Sequence, residues 1–472
     1  MKTKVLLIAL MLACSVVSFA QQTCNCETAL SKLISKIEHE YPGFADKTSD
    51  SLRYDHFKTM ISEKAKSTNQ SACFELLRDY LGYFNDRHIY ISQANRSQND
   101  QEKKKYHSKT DISLKAFNER INNTTDKLEG IWESAAYKVG IIKNRDHYDA
   151  FVIDADTTYW KPFEIKFKLL EQGKVKYFMR DHSLFEETYN LYDDCVLYFN
   201  NLQSAFVKIQ PEPNLTKAQI QLKVDEIEGF YIKKLTEKST LLSISSFMYN
   251  NVERIEKLIA NHTSLLENTE HLIIDVRNNG GGTDDGYREI LPYICTNPIR
   301  MVGAQFLATQ GLIDGLQNWM NKLPDEEKYD ADRARIKNKI ALYSKHLGEF
   351  VGSGSKPVYI DTIAPAVRGP SQVIILANRG TASAAESFIY KAKQSKKVKV
   401  MGIPTAGVLD YGSARKFDFG CDGYNLSLPT FRSQRLPEYP IDNIGIQPDL
   451  YMDQHVKDWI QYALNYLENR SN

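Results

Sequence analysis

Val373-Ile374-Ile375-Leu376-Ala377-Asn378-Arg379-Gly380-Thr381-Ala382-Ser383-Ala384-Ala385-Glu386 is the stretch on which the reading of this chain turns. Its first five residues are all apolar, the pattern of a buried strand. Beyond the polar middle, Ala385, Phe388, Ile389 and Ala392 recur at helical spacing. A sharp turn between the two sets Ser383 at a helix N-terminus. There the backbone N–H groups of Ala384 and Ala385 lack helical acceptors and face whatever the hydroxyl attacks. That is the environment a serine nucleophile needs. The same residues, Ser383-Ala384-Ala385-Glu386, also fit a capping box in which the serine only caps the helix.

A second loop bears on the choice. His271-Leu272-Ile273-Ile274-Asp275-Val276 reads as another buried strand, running into Arg277-Asn278-Asn279-Gly280-Gly281-Gly282. Glycines after a strand mark a close backbone approach or a positive φ. A phosphate cradle fails on detail. No Gly-Lys-Ser/Thr ending follows, and Asp285 stands where the G-x-G-x-x-G spacing needs glycine. Asp284 and Asp285 would also put negative charge where a phosphate would sit. A glycine N–H that binds an oxyanion fits better, with a plain tight turn as the alternative. Asp275 and Arg277 form a structural ion pair or orient the glycine loop.

With these two loops and Gly402-Ile403-Pro404-Thr405-Ala406-Gly407, the chain resembles serine peptidase family S41, the C-terminal processing peptidases and tricorn-type proteases. The resemblance covers roughly residues 226–450, with a shorter match on the N-terminal side. It implies an α/β fold with a ClpP/crotonase-like core, a twisted sheet flanked by helices. Processing peptidases pair the serine with a lysine just after the Gly-x-x-Thr-x-Gly segment. Here Val408, Leu409 and Asp410 stand there, which disfavours that design. The tricorn-like design uses a serine, a histidine and an acid far apart in sequence. Its histidine matches His88 in Phe84-Asn85-Asp86-Arg87-His88, and its acid matches Asp442 in Asp442-Asn443-Ile444-Gly445, where that branch more often has glutamate. Arg87 replaces the hydroxyl residue that precedes the histidine in that branch, so no assisting hydroxyl is implied.

The resemblance therefore implies a Ser383, His88 and Asp442 triad, with oxyanion donors from Ala384 and from Gly280 or Gly281. A neutral imidazole would accept the serine proton while a carboxylate fixes its tautomer. A protein or peptide is the implied substrate, and no cofactor or metal is called for. Cys24-x-Cys26 lacks a second cluster at zinc-ligand spacing. The alternative from another class is a non-catalytic ligand- or peptide-binding protein on the same fold, which has no need to keep all three triad residues.

Composition sets the outer bounds. The chain has 472 residues, enough for several domains with a sizeable core. A net charge of +1 offers no case for nucleic acid. Residues 1–20 read as a secretory signal peptide: Lys2 and Lys4, an apolar run from Val5 to Val17, then Ser18-Phe19-Ala20. Met11 and Leu12 fit a lipoprotein site at Cys14 poorly. No other stretch reaches the ~18 apolar residues of a membrane span. The expected mature chain is exported, periplasmic or extracellular, and its oligomeric state is not written in the sequence. A bridge from Cys24 or Cys26 to Cys73 would staple two early helices.

Along the chain, residues 24–98 read as an N-terminal helical region, with Ala29, Leu33, Ile37, Cys73, Leu76, Leu77, Tyr80 and Leu81 on apolar faces. Asn99 to Lys109 reads as an exposed linker. Residues 128–210 alternate in short runs, such as Tyr148 to Ile153 and Phe163 to Leu169, and read as an inserted antiparallel β-rich domain. No glycine-rich carboxylate-binding loop marks a PDZ domain. Residues 226–450 form the expected peptidase core, interrupted by a charged helical insertion near 310–350. Residues 451–472 form a C-terminal helix that packs on the core through Val456, Trp459, Ile460, Ala463, Leu464 and Leu467.

Overall fold

The structure, a computed structural model, describes residues 24–93, 108–155, 159–352, 354 and 356–469. The signal-peptide reading, Cys14, most of the 99–109 linker and the last three residues lie outside that range. The chain divides into two compact units with a mixed α/β composition. One unit draws on the first 96 positions, 304–353 and 411–432; the other holds 97–303, 354–410 and 433–472.

The first unit begins with helices Cys26–Glu40, Ser51–Ser67 and Cys73–Gly82. Asn25 accepts the Thr28 amide and opens the first of them. Ala29, Leu33 and Ile37 bury one face of it, and Leu76, Leu77, Tyr80 and Leu81 bury the third helix. Helix does not continue to residue 98. It stops at Gly82, Asn85 takes φ +46°, and Tyr90–Gln93 runs as a strand antiparallel to Tyr424–Leu428. The alternation of buried Ile89 and Ile91 with the less buried His88, Tyr90 and Ser92 is a period-two signal, overlooked beside the strong helical stripes.

Helices Gln310–Lys322 and Asp330–Lys345 also belong to this unit and share a core of Leu312, Leu316, Ile336 and Tyr343. Residues 226–450 are thus not one continuous body, because 304–353 and 411–432 pack with the N-terminal helices. Two disulfides lie in the unit, Cys26–Cys73 and Cys24–Cys421. The first is one of the two pairings expected. The second was not, since sequence spacing carries no signal across 397 residues.

In the second unit, eight antiparallel strands from Gly130–Glu133 to Ser204–Gln210 close into a barrel, the first strand pairing with the last. Trp132, Ile141, Phe167, Leu197, Phe199 and Phe206 pack one of its cores. A six-stranded sheet follows, its strands neighbouring in chain order: Phe230–Lys234, Ser239–Ile244, His271–Asp275, Gln372–Ala377, Val398–Gly402 and Leu450–Tyr451. From Ser239 onward the pairs are parallel, with Leu272 opposite Val373 and Ile375 opposite Val400.

Both faces of this sheet are covered, which is why its central strands are apolar without alternation. Leu272, Ile274, Val373 and Ile375 face Ile255, Ile259, Phe388 and Ile389 of two helices. Ile273, Ile374, Leu376 and Met401 face Ala463, Leu464 and Leu467. Those last residues sit on helix Trp459–Leu467, shorter than the expected 451–472. Leu450–Tyr451 is instead the edge strand, and Asp458 caps the helix by accepting the Gln461 amide.

Candidate active site

Strand Gln372–Ala377 ends, and helix Ala384–Ala392 begins, on either side of Ser383. Thr381, wholly buried, fixes the turn: its hydroxyl donates to the Val276 carbonyl at 2.9 Å and accepts the Asn378 amide at 3.1 Å. Ser383 itself has φ +52° and ψ −118°. An ordinary helix-capping serine is extended. Positive φ in a non-glycine residue costs about 1–3 kcal/mol and persists only where its surroundings over-determine it.

Those surroundings centre on Glu386, 0% exposed. Its carboxylate accepts the Ser383 amide at 3.0 Å, the Thr405 hydroxyl at 2.5 Å, and the Gly407 and Val408 amides at 2.8 Å each. The bond from the Ser383 amide to Glu386 is half of the capping box that the sequence suggested. The other three extend the same carboxylate to the Gly402–Gly407 segment, a role invisible in local sequence.

The glycine loop abuts this turn. Gly281 has φ +90°, and a Cβ there would fall 2.6 Å from the Ala382 carbonyl oxygen and 2.7 Å from the Ala384 nitrogen. Only glycine allows the two loops to approach so closely. The Gly281 amide, expected to face an oxyanion, instead donates to Asn279 Oδ1 at 2.9 Å. Asn279 is fully buried, donates to the Ile244 carbonyl at 3.1 Å, and its own carbonyl accepts the Ala382 amide at 2.9 Å. It joins sheet, glycine loop and serine turn, and sequence reasoning missed it. Gly280, by contrast, is exposed, with open space where a Cβ would stand. The Ala385 amide donates to the Ala382 carbonyl at 3.0 Å, so of the two helix amides expected to be open it is already engaged. Ala384 is the first helical residue. Asp275 and Arg277 form the expected ion pair, with Nη2 2.5 Å from the carboxylate.

Asp442 is half-buried in the same unit as Ser383. Its Oδ1 accepts the amides of Leu409 at 2.8 Å and Asp410 at 2.7 Å. Asp410 returns the arrangement, its Oδ2 accepting the amides of Ile441 and Asp442 while Oδ1 meets Arg435 at 2.8 Å. His88 belongs to the first unit, on the turn between helix Cys73–Gly82 and strand Tyr90–Gln93. Lys391 lies 3.7 and 3.6 Å from the carboxylates of Asp284 and Asp361, and Lys393 pairs with Asp449. Among the described residues no group of three or more His, Cys, Asp or Glu is placed to hold a metal, and no helix is long and apolar enough to cross a membrane.

Residues 238–452 match the family model described as Peptidase family S41. In fold, the chain is similar to mature CPAF, with a TM-score of 0.50 at 16% identity, covering 95% of this chain and 98% of that one. A structure of mature CPAF complexed with lactacystin gives 0.50 and 16%, over 94% and 97%. The tricorn protease aligns at 11% identity and a TM-score of 0.38, over 95% of this chain and 35% of that one. No curated protein sequence matches the chain. The family match spans the serine turn and the glycine loop packed against it, so residues 238–452 form an S41 peptidase segment and the chain is a serine peptidase.

Proposed function

We propose that the chain is an exported serine endopeptidase of the tricorn-like design, acting on proteins or peptides through Ser383, His88 and Asp442. The observation that carries this reading is the Ser383 backbone, held at φ +52° by a buried carboxylate at the mouth of a helix. A serine needed only as a cap would not require that strain.

In the proposed reaction His88 takes the Ser383 proton as Oγ attacks the scissile carbonyl. The amides of Ala384 and Gly280 donate to the developing oxyanion. His88 then gives its proton to the leaving amine, and water hydrolyses the acyl-enzyme by the reverse roles. Asp442 orients the imidazole. The serine–lysine alternative is disfavoured by Val408, a buried residue whose amide serves Glu386. We assign the six-stranded sheet and its helices to the ClpP/crotonase type, as the family resemblance implies. Export is supported by the leader-like first twenty residues and by the two disulfides.

A fluorophosphonate probe, which reacts with activated serines, should label the protein and fail to label Ser383→Ala. Mass spectrometry of a digested unfolded protein should show cleavage at internal bonds. Undiminished labelling and hydrolysis by folded Ser383→Ala would remove the assignment.

A further inference from the structure

The turn that carries His88 also holds a second acid. Asp86 sits two residues before His88, and its side chain is 0% exposed. Its Oδ1 accepts the His88 backbone N–H at 2.8 Å and lies 3.9 Å from His88 Nδ1. Its Oδ2 accepts the Tyr41 hydroxyl at 2.9 Å.

Tyr41 is a fixed donor. It follows helix Cys26–Glu40 as its C-cap, it is buried, and its ring meets Phe84 edge-on at 5.7 Å. The Cys26–Cys73 disulfide ties the first turn of that helix to the first turn of the helix leading to Asp86. Forming the turn requires only a short side-chain acceptor, which asparagine also supplies. A carboxylate in a shielded position is costly beyond that requirement, and is expected where its charge is used.

We propose that Asp86 is a positioning residue for His88, fixing the imidazole through the turn and stabilising its protonated form from 3.9 Å. The inference rests on His88 as the general base. It places beside the base an acid from the base's own turn, in addition to Asp442. The groups that act on Asp86 from the surrounding elements are Tyr41, His88 and Lys47. Burial raises the Asp86 carboxyl above its ordinary value, while His88, the Tyr41 hydroxyl and Lys47 oppose that rise. When His88 takes a proton, it gains an anionic neighbour; when Asp86 is itself protonated at low pH, that support is lost.

The test is Asp86→Asn in the mature protein, which keeps an oxygen to accept the His88 N–H, turns an NH₂ towards the Tyr41 oxygen and removes the charge. The His88 titration, followed by NMR in the Ser383→Ala background, should move down by ~1 pH unit. In the active enzyme kcat should fall ~10- to 100-fold with KM within about twofold, and the acid limb of kcat/KM should move down in parallel. An unshifted His88 titration, or an unchanged kcat with an unchanged limb, overturns the inference. If Asp86→Asn does not fold, Tyr41→Phe replaces it. Loss of that donor should move the acid limb upward, because Asp86 then protonates at higher pH, and an unmoved limb again overturns the inference. The NMR arm needs no hydrolysis, so a shifted His88 in a chain whose Ser383→Ala still cleaves would sink the triad and leave the Asp86–His88 coupling standing.

Discussion

Glu386 and Asp442 are held by one strip of backbone: the amides of Gly407 and Val408 donate to Glu386, and the next two, of Leu409 and Asp410, donate to Asp442. Four consecutive N–H groups are thus divided between the carboxylate that holds the Ser383 turn and the carboxylate proposed to orient the base. A displacement of residues 407–410 would disturb both together.

Glu386→Gln should therefore act as more than the loss of a cap. The amide NH₂ would face backbone donors, costing roughly 1.5–3 kcal/mol of stability for each charged hydrogen bond weakened. Hydrolysis should fall at least ~100-fold, the scale of a misplaced reacting group. Denaturant melts alongside fluorophosphonate labelling rates check both effects; unchanged labelling in a destabilised protein would confine Glu386 to structure.

Gly281→Ala should be poorly tolerated and Gly280→Ala mild. At Gly281 the new Cβ would meet the Ala382 carbonyl and the Ala384 nitrogen, on a backbone with positive φ. A loss above ~1 kcal/mol follows, with activity falling as the serine turn is pushed aside. At Gly280 the Cβ enters open space and the amide is retained, so the change should stay within ~0.5 kcal/mol. Equal effects at both positions would contradict the close approach.

Asp442→Asn keeps an oxygen for the Leu409 and Asp410 amides, so the loop should survive. The rate should nevertheless drop, by ~10⁴-fold if the wrong imidazole tautomer is favoured. Lys391→Ala and Lys393→Ala should leave kcat nearly unchanged, since both lysines are engaged by carboxylates along the helix leading away from Ser383. An essential lysine with a dispensable Asp442 would restore the serine–lysine design.

Lys166 gives a pH dependence of stability. It is 1% exposed, donates to the Phe178 carbonyl at 2.5 Å, and faces the rings of Trp160, Tyr177 and Tyr137 at 4.3, 4.4 and 4.6 Å. Burial pushes its pKa down from 10.5 to about 7. Between those values the unfolded chain holds the extra proton, so stability rises with pH, by at most about 1.4 kcal/mol per unit. Below the folded pKa the full cost of burying the cation is present, softened by the rings. Lys166→Met should be the more stable protein near pH 7, with its advantage shrinking towards about pH 10 in chemical denaturation. Parallel curves would refute this.

What could be read from the sequence was local or doubly buried. Val373 to Ala377 and Leu272 to Ile274 are legible because helices cover both faces of their sheet, leaving no polar residue to blur either run. The serine turn follows from that strand and the helix spacing. The alternating runs Tyr148 to Ile153 and Phe163 to Leu169 mark strands, but barrel closure is a pairing of residues 131–133 with 207–210, which alternation cannot express. Glu386 looked like a cap because it follows the serine by three residues in sequence, whereas its bonds to Thr405, Gly407 and Val408 span 19 to 22 residues. Asn279 gave no signal, since an asparagine beside glycines reads as turn chemistry.

The first unit is assembled from three stretches of chain separated by more than two hundred residues and then by more than fifty. During synthesis its helices appear long before their later partners. Cys73 emerges while both Cys24 and Cys26 are present, yet Cys24 must stay uncommitted until Cys421 has followed. A chain that joins Cys24 to Cys73 early has closed the wrong loop, by the entropically easier route of the shorter separation. Completing this unit therefore favours a compartment that can reshuffle disulfides as well as form them, and a host lacking such exchange should accumulate a mispaired, unfinished protein even when every peptide bond has been made.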